Sequence, residues 1–231
     1  MKIYFLGTGA GSTWGSKRFK AGIYVKSEGS SVILDMGSGI NYRIEDLKLT
    51  DFKAVFITHL HIDHINGIPD HLVQRTINQM PTIDIYSPPG FSELFKTYTY
   101  LGNGISANIH EDKLPNARIG ELEVYSIEGC HKIYDVAYIV TDGEKSILYT
   151  GDTLEPCESI TRVIKEVDLV IHEASCIEDC SKYGHTSVKQ IINLFPREKV
   201  ILTHIPSQIE DKVREIAKGY NIAYDGLIID V

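Results

Sequence analysis

Short apolar runs recur along the chain, each stopped by glycine, proline or a polar cluster. Lys2 to Leu6 is the first, closed by Gly7-Thr8-Gly9-Ala10-Gly11. Ile23 to Lys26 and Ser31 to Asp35 read as strands joined across Glu28-Gly29-Ser30, a hairpin signal. Ile40, Ile44 and Leu47 recur at helical spacing. Ala54 to Thr58 is a buried strand rich in β-formers. Pro69 suits the first turn of a helix running to about Gln79, because the N–H that proline lacks is unused there. Ile83 to Ser87 is a further strand, stopped by Pro88-Pro89-Gly90.

The second half repeats the style. Leu122 to Ile127, Val136 to Thr141 and Ser146 to Thr150 read as strands, the last two joined by a turn at Asp142-Gly143. Ile160, Val163, Ile164 and Val167 form one helical stripe; Val188, Ile191, Ile192 and Phe195 form a second; Ile209, Val213, Ile216 and Tyr220 form a third. Strands at Leu169 to His172, Lys199 to Thr203 and Leu227 to Val231 separate and close them. One-sided helices need a sheet to cover. The economical solution is an α/β arrangement of two mixed sheets face to face, with helices outside. Two echoes suit paired halves: Val55-Phe-Ile-Thr-His59 against Val200-Ile-Leu-Thr-His204, and Ile33-Leu34 against Ile147-Leu148.

Length and charge narrow this picture. A chain of 231 residues can bury a large core without staples, and residues 1–231 read as a single domain. The four cysteines, at 130, 157, 176 and 180, fit no zinc-ribbon or redox spacing and read as reduced structural thiols. No apolar window is long enough for a membrane span. The opening segment turns to glycine too early for a signal peptide, so a cytoplasmic protein is expected. The net charge of -8 weighs against a chain built to grip a large nucleic acid, which is bound through phosphate neutralisation.

The chemistry concentrates in Thr58-His59-Leu60-His61-Ile62-Asp63-His64, directly after a buried strand. If the segment stays extended, alternation puts His59, His61 and Asp63 on one side, and His64 turns toward a second position. One tetrahedral ion could not easily take all four groups, whereas two neighbouring ions could. A surface loop with clustered histidines is the plain alternative. Three of the nine histidines in one heptapeptide, with an aspartate beside them, make it a poor one. His131, Asp152 and His204 each follow an apolar strand. Singly they would pass for a core histidine or a turn aspartate; together they suggest convergence on one rim. His71 and His110 have no such context and read as structural or surface residues. Gly7, Gly9 and Gly11 lack nucleotide-loop spacing and read as a tight turn.

His-x-His-x-Asp-His with a distant His, Asp and His resembles the metallo-β-lactamase superfamily. Within it the chain is most similar to the ribonuclease Z branch of phosphodiesterases. That likeness rests on Phe5-Leu6-Gly7-Thr8-Gly9-Ala10-Gly11, Leu34-Asp35-Met36-Gly37-Ser38-Gly39, Asp168 through His172-Glu173-Ala174, Gly184-His185-Thr186-Ser187 and Leu202-Thr203-His204. The resemblance implies a four-layer αββα sandwich with its site on one edge of the sheets. It assigns His59, His61 and His131 to one metal, and Asp63, His64 and His204 to the other, with Asp152 bridging. Zinc is the expected metal, with manganese or iron as alternatives. A water between two cations would lose its proton near neutral pH and attack a phosphodiester, with Asp63 holding or accepting that proton. His185 would protonate the leaving alkoxide and Glu173 would orient His185. A helix cap formed by Thr186-Ser187 is the structural alternative for this last pair.

The likeness has one departure. Ribonuclease Z enzymes usually carry a transfer-RNA-gripping arm between the residues matching His131 and Asp152. Here that interval has room only for two strands and a turn. The expectation is therefore a metal-dependent hydrolase acting on a small or short nucleotide-like phosphodiester, and a homodimer is common among similar proteins. The alternatives are a transfer-RNA 3′-processing endonuclease, a lactone or thioester hydrolase, and a non-catalytic metal-binding sensor.

Overall fold

Period-two alternation sorts the side chains of the first strand to opposite faces. Ile3 and Phe5 of β1 (Lys2–Gly7) enter one core cluster, and Leu6 enters another. The same sorting holds in β3 (Ser30–Leu34) and β4 (Ala54–Phe56), where Val32, Leu34, Ala54 and Phe56 face one way and Ile33 and Val55 the other. The computed structural model describes residues 1–11, 14–102 and 104–231.

Among the described residues the strands form two seven-stranded sheets. The first runs β14 (Ile228–Asp230), β1, β2 (Gly22–Ser27), β3, β4, β5 (Asp84–Ser87), β6 (Asn108–Glu111). The second runs β13 (Asn221–Ile222), β12 (Val200–Thr203), β11 (Leu169–Glu173), β10 (Ser146–Tyr149), β9 (Val136–Thr141), β8 (Leu122–Glu128), β7 (Ala117–Ile119). Both are mixed: β14 to β3 are antiparallel and β3 to β6 parallel, while β7 to β10 are antiparallel and β10 to β13 parallel. β3 and β10 thus hold equivalent places, and the Ile33/Ile147 echo is a topological one. The Val55/Val200 echo is not, because β4 pairs with β3 directly while β11 separates β12 from β10.

A core of inward side chains from both sheets fills the space between them, including Phe5, Phe56, Tyr138, Tyr149 and Ile171. Helices α1 (Ile40–Asp46), α2 (Ile62–Ile65), α3 (Ile68–Ile77) and α4 (Phe91–Tyr100) belong to the first half, and α1, α3 and α4 cover the outer face of its sheet. Helices α5 (Glu158–Val163), α6 (Val188–Leu194) and α7 (Glu210–Ile216) cover the other. The result is the expected αββα sandwich. Pro69 lies in the first turn of α3. Ser187 caps α6 in a capping box with Gln190, which satisfies two otherwise orphaned donors. Among the described residues no helix is long and apolar enough to cross a membrane.

Three departures from expectation follow from tertiary context. Strands β6 and β7 carry mostly exposed or half-buried side chains, so neither shows an apolar run in sequence. The segment after His61 does not stay extended; it turns into α2, which sends Asp63 away from His59 and His61. The cysteines are not reduced thiols: Cys130 is bonded to Cys157 and Cys176 to Cys180. Folding brings their Cα atoms to 5.8 and 6.4 Å, within the reach of a bridge, and spacing along the chain could not reveal that for residues 27 apart.

Candidate metal centre

The predicted residues follow the ends of strands that finish on one edge of the sandwich. His59 follows β4, His131 follows β8, Asp152 follows β10 and His204 follows β12. The edge is tied across the sheets by two hydrogen bonds, Val136 N–H to the Thr58 carbonyl at 3.0 Å and Tyr138 O–H to the Ile57 carbonyl at 2.8 Å. Helix α2 starts right after His61 and presents Asp63 and His64 one turn further on.

Two donor groups emerge. In the first, His61 Nδ1 lies 3.0 Å from His59 Nε2 and 3.2 Å from His131 Nε2. In the second, Asp63 Oδ2 lies 3.6 Å from His204 Nε2 and 4.0 Å from His64 Nε2. Asp152 stands between them. Its Oδ2 is 3.6 Å from His59 Nε2, and its Oδ1 is 3.0 Å from His204 Nε2 and 3.3 Å from His64 Nε2. The sets His59, His61, His131, Asp152 and Asp63, His64, His204 each bring their donor atoms within 4.8 Å of one another, tight enough to hold an ion. The edge of a tetrahedron with ~2.05 Å bonds to a central ion is about 3.3 Å, close to these separations. His64 Nε2 and Asp152 Oδ1 are also buried without a hydrogen-bond partner. Buried polar atoms are rarely left so, and cations between the groups would satisfy them. The residues therefore fit two divalent ions.

A second layer aims the rings. The Nδ1 of His64 meets Asp35 Oδ2 at 2.7 Å, the Nδ1 of His131 meets the Gly184 carbonyl at 2.7 Å, and the Nδ1 of His59 meets Thr58 Oγ1 at 3.0 Å. In all three the other nitrogen is left to face the cluster, as in known metal-binding histidines. Asp35 also accepts from Thr58 N–H, Thr58 O–H and Tyr149 O–H, and it is fully buried. Its φ of 57° and that of His204, 53°, lie in the left-handed region, which non-glycine residues occupy only when surrounding contacts hold them. Gly11 N–H donates to Asp63 Oδ2 at 2.7 Å, so the glycine turn after β1 fixes that carboxylate.

Charge balance follows from this crowding. Burial alone would raise the Asp152 carboxyl, but His204 and His64 hold it well below the usual range. Burial alone would lower His64, but Asp152 and Asp35 push it well above the usual histidine value. Burial and the neighbouring imidazoles hold His61 below it. Without metal, the carboxylates around His64 thus favour a proton there, which a bound metal ion would displace. Burial pushes the Asp135 carboxyl up to about 7; its Oδ1 accepts the His131 backbone N–H at 2.9 Å.

His185 and Glu173 join the same edge. The His185 Nδ1 lies 3.0 Å from Glu173 Oε1, and Asp152, Glu173 and His185 form a third close group. Burial would lower His185, yet the hydrogen bond and charge of Glu173 raise it to about 9. A cavity of about 300 Å³ opens here, lined by His61, Asp63, Asp152, Ser175, His185 and His204 among others. A groove of about 360 Å³ beside α1 and α3 is larger, but of the ligating groups on this edge it holds none; chemistry selects the smaller cavity. The bond from Cys130 to Cys157 straps the loop carrying His131 to the start of α5.

All nine predicted residues therefore gather on this edge, in the two donor groups and the His185–Glu173 pair. His71 is buried beneath that larger groove, and His110 is exposed and bonded to Asp84. Sequence reasoning missed the partners. Asp35 sits in a stretch singled out for its likeness, but nothing local signals that it supports His64. Ser175, whose hydroxyl donates to Glu173, looks like any loop serine.

The sandwich and its donor-lined edge define a metal-dependent hydrolase of the metallo-β-lactamase superfamily, in its ribonuclease Z-like branch. More narrowly, the chain belongs to the family described as Anti-Pycsar protein Apyc1, which matches residues 1–222. It is 25% identical to ribonuclease Z of Saccharolobus islandicus, with 100% of this chain and 97% of that one aligned. That alignment runs over 286 positions against 231 residues here, so the relative carries segments this chain lacks. Among solved structures, the metallo-β-lactamase fold protein YhfI from Bacillus subtilis has a TM-score of 0.84 at 22% identity, covering 99% of this chain and 98% of its own. Human tRNase Z, short form, has 0.83 at 22%, covering 100% and 99%.

Proposed function

We propose that the chain is a phosphodiesterase that hydrolyses a small or nucleotide-like phosphodiester with two divalent metal ions, zinc in the first instance. The placement of Asp152 carries the reading: one carboxylate oxygen faces each donor group. His59, His61 and His131 would hold one ion, Asp63, His64 and His204 the other, and Asp152 both. Bound there, the ions would supply the positive charge that acidifies a water and offsets charge on the phosphoryl oxygens.

The chain's own groups do the rest. Asp63, fixed by Gly11 N–H, orients the attacking water and takes its proton. His185 lines the cavity with Nδ1 committed to Glu173, which leaves Nε2 to protonate the leaving oxygen. Glu173 is a positioning residue, itself fixed by the Thr153 N–H at 2.8 Å. Transfer-RNA maturation is the second reading, favoured by the relatives called ribonuclease Z. Against it stand the net charge of -8 and the interval from His131 to Asp152, which holds only the β9–β10 hairpin and its flanks.

The test is elemental analysis of metal-replete protein with a substrate panel on the same sample. Two ions per chain, cleavage of bis-p-nitrophenyl phosphate and cyclic nucleotides, and an intact precursor transfer RNA are expected. Cleavage of the precursor without cleavage of small diesters would reverse the assignment.

A further inference from the structure

The chain carries a net charge of -8, and a phosphodiester is an anion, so the molecule as a whole repels the substrate proposed for it. Two lysines on the loops that carry His131 and His185 stand against that repulsion. Lys182 and Tyr183 lie in the 3-10 turn Ser181–Tyr183, just before His185. Lys132 follows His131. The two loops are held in contact: the His131 Nδ1 meets the Gly184 carbonyl at 2.7 Å, and a Cβ on Gly184 would stand 2.8 Å from the Lys132 backbone nitrogen. Only glycine, here at φ 79°, allows that approach.

One ring collects both charges. The Nζ of Lys182 is 4.6 Å from the Tyr183 ring centroid and that of Lys132 is 6.0 Å from it. Such contacts hold a cation over an aromatic face while leaving it in water. All three side chains are exposed, Tyr183 by 57%. Some surface lysines pair with carboxylates, as Lys26 does with Asp51, Lys145 with Asp168 and Lys189 with Glu178. Among the described residues, Lys132 and Lys182 make no such pair. Unpaired cations in an acidic chain, pinned next to His131 and His185, keep their field for an incoming anion.

We propose that Lys132, Tyr183 and Lys182 form a recruiting rim for the anionic phosphodiester, with Tyr183 as the post that keeps both ammonium groups beside the cavity. The proposal rests on the phosphodiesterase reading and concerns encounter, not bond cleavage. Exposed charges act through solvent over a Debye length, ~10 Å at 0.1 M salt, so ionic strength is the signature.

The experiment measures kcat and kcat/KM for bis-p-nitrophenyl phosphate and a cyclic nucleotide on metal-replete protein, at low and high salt. The variants are Lys132→Ala/Lys182→Ala, Tyr183→Ala and Tyr183→Phe. The double variant is expected to lose about 5- to 10-fold in kcat/KM at ~10 mM salt and under about 2-fold at ~500 mM, with kcat unchanged. Tyr183→Ala should lose about 2- to 3-fold at low salt, and Tyr183→Phe, which keeps the ring face, should match the parent. A double variant equal to the parent at low salt overturns the proposal, as does a loss that persists at high salt. Should the parent cleave neither diester, the phosphodiesterase reading fails by itself. Equilibrium binding of a cyclic nucleotide phosphorothioate then decides the rim: weakening confined to low salt in the double variant supports it, and equal affinity or no binding overturns it.

Discussion

The Oε1 of Glu173, at the buried end of β11, stands 3.0 Å from the Nδ1 of His185, on the loop that leads into α6. The same oxygen accepts the backbone N–H of Thr153, the residue after Asp152. One carboxylate thus sets the position of a ring and of the backbone beside Asp152. His185→Ala is expected to lower kcat about 10²- to 10⁴-fold, the usual worth of a positioned acid, with metal content unchanged. Glu173→Gln keeps the shape and should cost about 10- to 100-fold, the range seen for groups that orient a functional histidine. Steady-state kinetics with elemental analysis checks both; unchanged kcat in His185→Ala removes His185 from the reaction.

Asp35 tests the layer beneath the metal centre. It is fully buried and bonded to Thr58, His64 and Tyr149. Asp35→Asn leaves the buried His64 without its anion and should cost about 3–5 kcal/mol. Tyr149→Phe removes a single hydroxyl donor and should cost about 1–2 kcal/mol. Urea unfolding of metal-free protein measures both, and equal losses would show that charge at Asp35 is irrelevant.

Gly37 tests the packing of the ligand loop. A Cβ there would stand 2.0 Å from the Asp63 carbonyl oxygen and 2.6 Å from the Lys20 Cβ. The Asp63 carbonyl is backbone and cannot swing aside, so Gly37→Ala must displace the start of α2. Weaker metal retention on dialysis, by about 10-fold or more, is expected from a shift in ligand placement. Full retention would mean that the loop moves without cost.

Glu210 supplies a pH dependence away from the metals. Its side chain bonds to Arg18, which is buried and also reaches Thr8 and the Ala223 carbonyl, and to Arg214. These partners, Arg18 first, lower its pKa from 4.5 to about 2. A depressed folded-state value means that the stabilisation is complete above pH 4.5 and is lost as pH falls toward 2. For a pair that is partly solvated the amount is about 1–2 kcal/mol. Thermal melts of metal-free parent and Glu210→Gln should differ at pH 6 and converge near pH 2; a constant difference refutes the assignment.

The chain's own order determined a good deal. Alternating and helical periodicity located most strands and helices, because a side chain's direction within one element depends only on its neighbours in sequence. The clustered His59, His61, Asp63 and His64 announced a metal site for the same reason: the donors are local. His131, Asp152 and His204 were legible as ligand types beyond strand ends, a shared position that suggested one rim, and their division between two ions came through resemblance. Tertiary structure decided what local order could not: the turn of α2 that parts Asp63 from His61, the pairing of Cys130 with Cys157, the support of His64 by Asp35, and the edge strands β6 and β7. Each depends on contacts between residues far apart in the chain, or on exposure at a sheet edge, and neither leaves a periodic mark in the sequence.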